Sequence, residues 1–72
     1  MYQIIETPKG GIAVFMAEGK FDCSVVNVFE KKKGGTIAIT EHYVFRANVL
    51  KAEVRAFVSQ IKKRLYADHS QI

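Results

Sequence analysis

Two hydrophobic periods divide the chain near residue 47. Before it, apolar positions alternate with polar ones or form short blocks bounded by turn residues. After it, they recur every third or fourth residue. The first pattern belongs to strands and the second to a helix. Tyr2 to Thr7 carries Ile4 and Ile5 and ends at Thr7-Pro8-Lys9-Gly10-Gly11, where proline and glycine suit a tight turn. A strand at about 11–17 follows, apolar at Ile12, Ala13, Val14, Phe15 and Met16; an apolar run on both faces marks a central strand. Glu18-Gly19 reads as a short hairpin with glycine in the left-handed position. A third strand, about 20–30, places Phe21, Cys23, Val25 and Phe29 on one face and Asp22, Ser24, Val26, Val28 and Glu30 on the other.

Lys31-Lys32-Lys33-Gly34-Gly35 breaks the pattern as a charged loop. From about 36 to 46, Ile37, Ile39, Tyr43 and Phe45 occupy odd positions, with Glu41 the exception, and Thr36, Thr40, His42 and Arg46 occupy even ones. A helix starting after Thr40 competes, since Tyr43, Ala47, Leu50 and Val54 also fit a helical stripe. The β-branched and aromatic residues favour a fourth strand. Asn48 is a good N-cap, and Leu50, Val54, Phe57, Val58, Ile61 and Leu65 form one apolar stripe. The helix is expected at about 48–66, with Lys62, Lys63 and Arg64 in its last turns and Asp68 to Ile72 frayed. The sum is one α+β domain over residues 1–72: a four-stranded antiparallel meander followed by an amphipathic helix on one sheet face, ββββα.

Composition narrows the chemistry. The chain has 72 residues and 49% hydrophobic positions, enough for a folded domain but a marginal core. Cys23 is the only cysteine, which rules out an internal disulfide or a cysteine-rich zinc site, and His42 and His69 cannot complete a metal ligand set. We expect no metal and no cofactor. No apolar run approaches the length of a membrane span, the first residues do not resemble a signal peptide, and a lone cysteine fits a reducing cytoplasm.

Catalysis is not expected either. Cys23 with His42 could form a nucleophile and base. However, Cys23 beside Phe21 and Val25 reads as a small hydrophobe, and His42 falls on a polar face. The carboxylates are scattered singly, and Gly10-Gly11 and Gly34-Gly35 lack the setting of a phosphate loop.

Charge is more telling. Of the net +4, residues 1–30 contribute −2, residues 31–65 contribute +7 and Asp68 contributes −1. Such a concentrated field attracts an anionic partner. The candidate anion-binding residues are Lys31, Lys32, Lys33, Arg46, Lys51, Arg55, Lys62 and Lys63. Lys51, Arg55 and Lys62 are expected roughly opposite the core stripe, and the partner is expected to be nucleic acid or an acidic, nucleic-acid-handling protein. A solvated helix face accounts for the same lysines.

One helix cannot cover both faces of a four-stranded sheet. Ala13, Phe15, Val26 and Val28, with Tyr43 at the rim, are therefore candidate interface residues for a homodimer or for a protein partner that the chain serves or inhibits.

The segment Gly35-Thr36-Ile37-Ala38-Ile39-Thr40-Glu41, within four strands and a helix, resembles the glycine-apolar-threonine-glutamate approach to the helix of the PC4 coactivator family. The resemblance implies single-stranded-DNA binding, dimerisation through the helices and a helix that starts near Glu41. The aromatic and basic pattern of that family's early strands is poorly matched here.

Overall fold

A computed structural model describes residues 1–70. Strand β1 spans Tyr2–Thr7, β2 Gly10–Phe15, β3 Ser24–Lys31 and β4 Ile37–Phe45, and helix α1 spans Lys51–Ser70. The strands form one antiparallel sheet in the order β1-β2-β3-β4. The expected ββββα architecture is therefore the observed one.

Each turn has a local cause. Only Pro8 and Lys9 separate β1 from β2, and no residue there has positive φ; proline at the second position favours such a turn. The Thr7 hydroxyl donates to the Gly10 carbonyl at 3.0 Å. Gly10 is required by close approach: a Cβ there would lie 2.1 Å from the Phe29 carbonyl oxygen. At the β3–β4 end, Gly34 and Gly35 have φ of 84° and 83°, a region costly for any residue with a Cβ. They let the lysine loop close so that Lys32 N–H donates to the Thr36 carbonyl at 2.8 Å.

The β2–β3 connection departs from expectation. Lys20 to Cys23 lie outside β3, in an eight-residue connection from Met16 to Cys23. Asp22 ties it, accepting the Gly19 N–H at 2.9 Å, and Gly19 does not have positive φ. Cys23 is exposed, and Phe21 is 86% exposed. Neither joins an apolar face; their alternation with Val25 imitates a strand without pairing as one. Ser24, buried at the start of β3, accepts the Ala17 N–H at 3.1 Å.

The core lies between the sheet and α1. Ile12, Val14, Met16, Val26 and Val28 face Val54, Val58 and Ile61, with Phe57 and Leu65 half-buried at the margin. Phe57 meets Tyr43 and Phe45 edge-on, with ring centroids 4.8 and 5.2 Å apart.

The helix begins three residues later than expected. Val49 N–H bonds the Arg46 carbonyl at 3.0 Å, so Asn48 sits in a turn rather than at the N-cap. The Leu50 carbonyl accepts from Glu53 and Val54, which puts Leu50 in the capping position, 66% exposed and outside the core stripe. The helix continues past Asp68 to Ser70; Gln71, Ile72 and the His69 side chain lie outside the described residues. The strand reading of residues 41–45 is the observed one, so the helix start near Glu41 implied by the family resemblance does not occur. Among the described residues no helix is long and apolar enough to cross a membrane.

Candidate functional site

Strand register decides which side chains share the face away from the helix. Tyr2, Phe15, Val25 and Val44 form one cross-strand row, and Ile4, Ala13, Asn27 and His42 form the next. Glu6, Gly11, Phe29 and Ile39 form a third, and Lys31 pairs with Ile37 beyond it. Tyr2, Ile4, Phe15, Ile37, Ile39 and Val44 are all exposed on this face, by 39 to 63%. Phe29 is buried because Gly11 leaves room for its ring: a Cβ on Gly11 would come 2.9 Å from it.

A β-bulge creates much of this surface. Val28 pairs with Glu41 but Phe29 pairs with Ile39, so Thr40 is the extra residue. The bulge switches which face the odd positions occupy. Ile37 and Ile39 therefore stand on the open face, while Glu41, Tyr43 and Phe45 turn toward α1. The five interface candidates are divided accordingly. Ala13 and Phe15 lie on the open face; Val26 and Val28 are enclosed under the helix, and Tyr43 is half-buried against Phe57. Ile4, Ile37, Ile39 and Val44 share this face in addition to the residues the sequence points to. Edge-strand pairing leaves them uncovered, and periodicity alone cannot say which face the single helix chooses.

The basic residues are also divided. All eight candidates are exposed, but they occupy separate places. Lys31 and Lys32 lie within 3.8 and 3.1 Å of Glu6 and Glu30, so the acidic first half of the chain partly neutralises the lysine loop. Arg46 stands at the other end of β4, nine residues away from that loop, or roughly 25–30 Å. Lys51, Arg55 and Lys62, spaced by four and seven, share one flank of α1, with Lys63 on the outward ridge. They lie beside the core stripe rather than opposite it. This flank overlooks β1, since Lys62 and Tyr66 border Ile5 and Thr7. Among the described residues none of these four cations comes within 4 Å of a carboxylate, although Lys51 stands near enough to Glu18 to help the α-amino group lower its carboxyl. Tyr66, one turn beyond Lys62, extends the same flank half-exposed, with the Lys62 Nζ 5.9 Å from its ring centroid. Its i+4 spacing from Lys62 was the signal for it in the sequence.

On the opposite flank the cation is paired. Arg64 Nη2 donates to Glu41 Oε2 at 2.5 Å, and the Tyr43 hydroxyl donates to Glu41 Oε1. The Arg64 guanidinium, then the Tyr43 hydroxyl, hold the Glu41 carboxyl below its usual range, and Glu41 in turn raises the Tyr43 hydroxyl. This cluster ties α1 to β4. At the N-terminus the α-amino group donates to Glu18 at 2.7 Å and lowers that carboxyl.

His42 and Asn27 hydrogen-bond each other across the open face, and Cys23 stands alone in its loop. Among the described residues no three His, Cys, Asp or Glu side chains gather into a metal-binding group. No family model, curated protein or solved structure matches the chain.

Proposed function

We propose that this is a small non-enzymatic nucleic-acid-binding protein that grips phosphates with the β1-side flank of α1. The observation that carries the reading is the row Lys51, Arg55 and Lys62, unpaired among the described residues and ending in the half-exposed Tyr66. Unpaired cations in a row release counterions from a phosphate backbone, and an adjacent ring offers a stacking platform for a base. Lys63 adds charge on the ridge, while the paired Lys31 and Lys32 contribute less. An exposed free thiol at Cys23 suits a reducing cytoplasm.

The test is fluorescence anisotropy with single- and double-stranded oligonucleotides at low salt. The wild type binds both, and the combined Lys51→Gln, Arg55→Gln, Lys62→Gln variant binds at least about tenfold more weakly. Absence of wild-type binding at low salt ends this reading.

A second reading is favoured by the open sheet face. An apolar surface of this kind suits a protein-binding accessory or an inhibitor that covers a partner's surface, with the cationic helix steering it toward an acidic or nucleic-acid-handling protein. Retention of one partner from host lysate after nuclease and high salt, lost on Ile39→Asp in a protein of unchanged circular dichroism, would support it over the first.

A further inference from the structure

Among the described residues nothing covers the open sheet face, where six large side chains stay 39 to 63% exposed, and its composition differs from that of the rest of the surface. Its ionised residues within the four strands are Glu6 and Lys31, which pair with each other at 3.8 Å. The one polar pair near its centre, His42 and Asn27, is hydrogen-bonded internally. The remainder is apolar: Tyr2, Ile4, Phe15, Ile37, Ile39 and Val44. We propose that a second copy of this chain covers the face, giving a twofold dimer of back-to-back sheets with the two helices outside.

Size and charge both point to a second copy. Four strands about 4.8 Å apart, with six to nine residues rising about 3.3 Å each, make a face on the order of 20 by 25 Å. Two such faces bury roughly 1,000 Å² in projection and more along their corrugated side chains, which meets the minimum for a specific interface. Any two copies carry +4 each and repel. The open face is locally neutral, and meeting there puts the cationic flanks of α1 on opposite outer surfaces, as far apart as the molecule allows. Two sheets packed about 10 Å apart interdigitate their inner side chains, and an isologous contact needs only a self-complementary patch. Such a neutral patch gives no selection for the acidic partner that the cationic helix would steer in; it is suited to its own copy.

The inference is independent of nucleic-acid binding, because it is read by mass and contacts. Light scattering on the full chain should give twice the 8.1 kDa chain mass at high micromolar concentration, falling toward the monomer on dilution. Ile39→Asp and Phe15→Asp should each give the monomer mass with unchanged far-ultraviolet circular dichroism. Leu50→Asp, an exposed apolar site off the face, should leave the dimer intact. Isotope-filtered nuclear Overhauser spectra on a mixture of labelled and unlabelled wild type need no substitution and should show intermolecular contacts at the Ile4, Ile39 and Val44 methyls. A monomeric wild type overturns the proposal and leaves the face to the foreign partner of the second reading. A dimer whose intermolecular contacts lie on α1 overturns it as well.

Discussion

At the residue scale, two glycine pairs that look alike in sequence do different work. Gly34 and Gly35 supply positive φ in open space, with nothing within 4 Å of a Cβ at either. Gly10 has ordinary φ but no room, since a Cβ would meet backbone of β3 at 2.1 Å. The sequence marks all of them only as turn residues; which need is being met depends on a partner strand some 20 positions away. Gly10→Ala must push β2 and β3 apart where they pair and should cost more than about 2 kcal/mol in urea unfolding. Gly34→Ala strains a single turn residue and should cost about 1–2 kcal/mol. Equal costs for the two would contradict this division.

At the scale of elements, strand number, order and hairpin pairing were readable because turn residues bound each segment and short connections make neighbours. Two features were not. Phe21, Cys23 and Val25 alternate like a strand, but Asp22 bonding Gly19 holds that stretch as a turn. The Thr40 bulge moves Ile37 and Ile39 to the open face, and its one mark in the alternation of β4 is Glu41, a polar residue at an odd position directly after it, while the other odd positions on both sides are apolar. The start of α1 is ambiguous in sequence as well: Asn48 suits a cap and a turn equally, and the hydrogen bond from Val49 N–H to the Arg46 carbonyl makes it a turn. The helix is thus left with Leu50 at its cap, a residue whose side chain can satisfy none of the free N–H groups. Leu50→Ser would place a hydroxyl three residues before Glu53, the spacing of a capping box. It should stabilise the fold by about 1 kcal/mol, seen as a raised urea midpoint with unchanged slope. No change would mean that the Leu50 side chain makes a contact worth as much as the cap.

At the scale of the whole molecule, folding rearranges the charge written along the chain. A −2 segment followed by a +7 segment suggests one acidic end and one basic end. The fold instead lays Glu6 and Glu30 against the lysine loop and Glu41 against Arg64, leaving the β1-side flank of α1 as the concentrated unpaired charge among the described residues. The difference is measurable in the salt dependence of nucleic-acid binding. Each phosphate neutralised contributes about 0.9 to the log–log slope on duplex and about 0.7 on single strands. Removing Lys51, Arg55 and Lys62 together should therefore flatten the slope by about 2 to 3. Lys31→Gln with Lys32→Gln removes cations that already face carboxylates, and frees Glu6 and Glu30 to repel phosphate. Affinity should fall somewhat at every salt concentration, while the slope flattens by less than about 1. A larger slope change from the loop pair than from the helix triple would place the phosphate contacts at the β3–β4 end of the sheet. Arg46, close to the start of α1, would then lie some 25–30 Å from them.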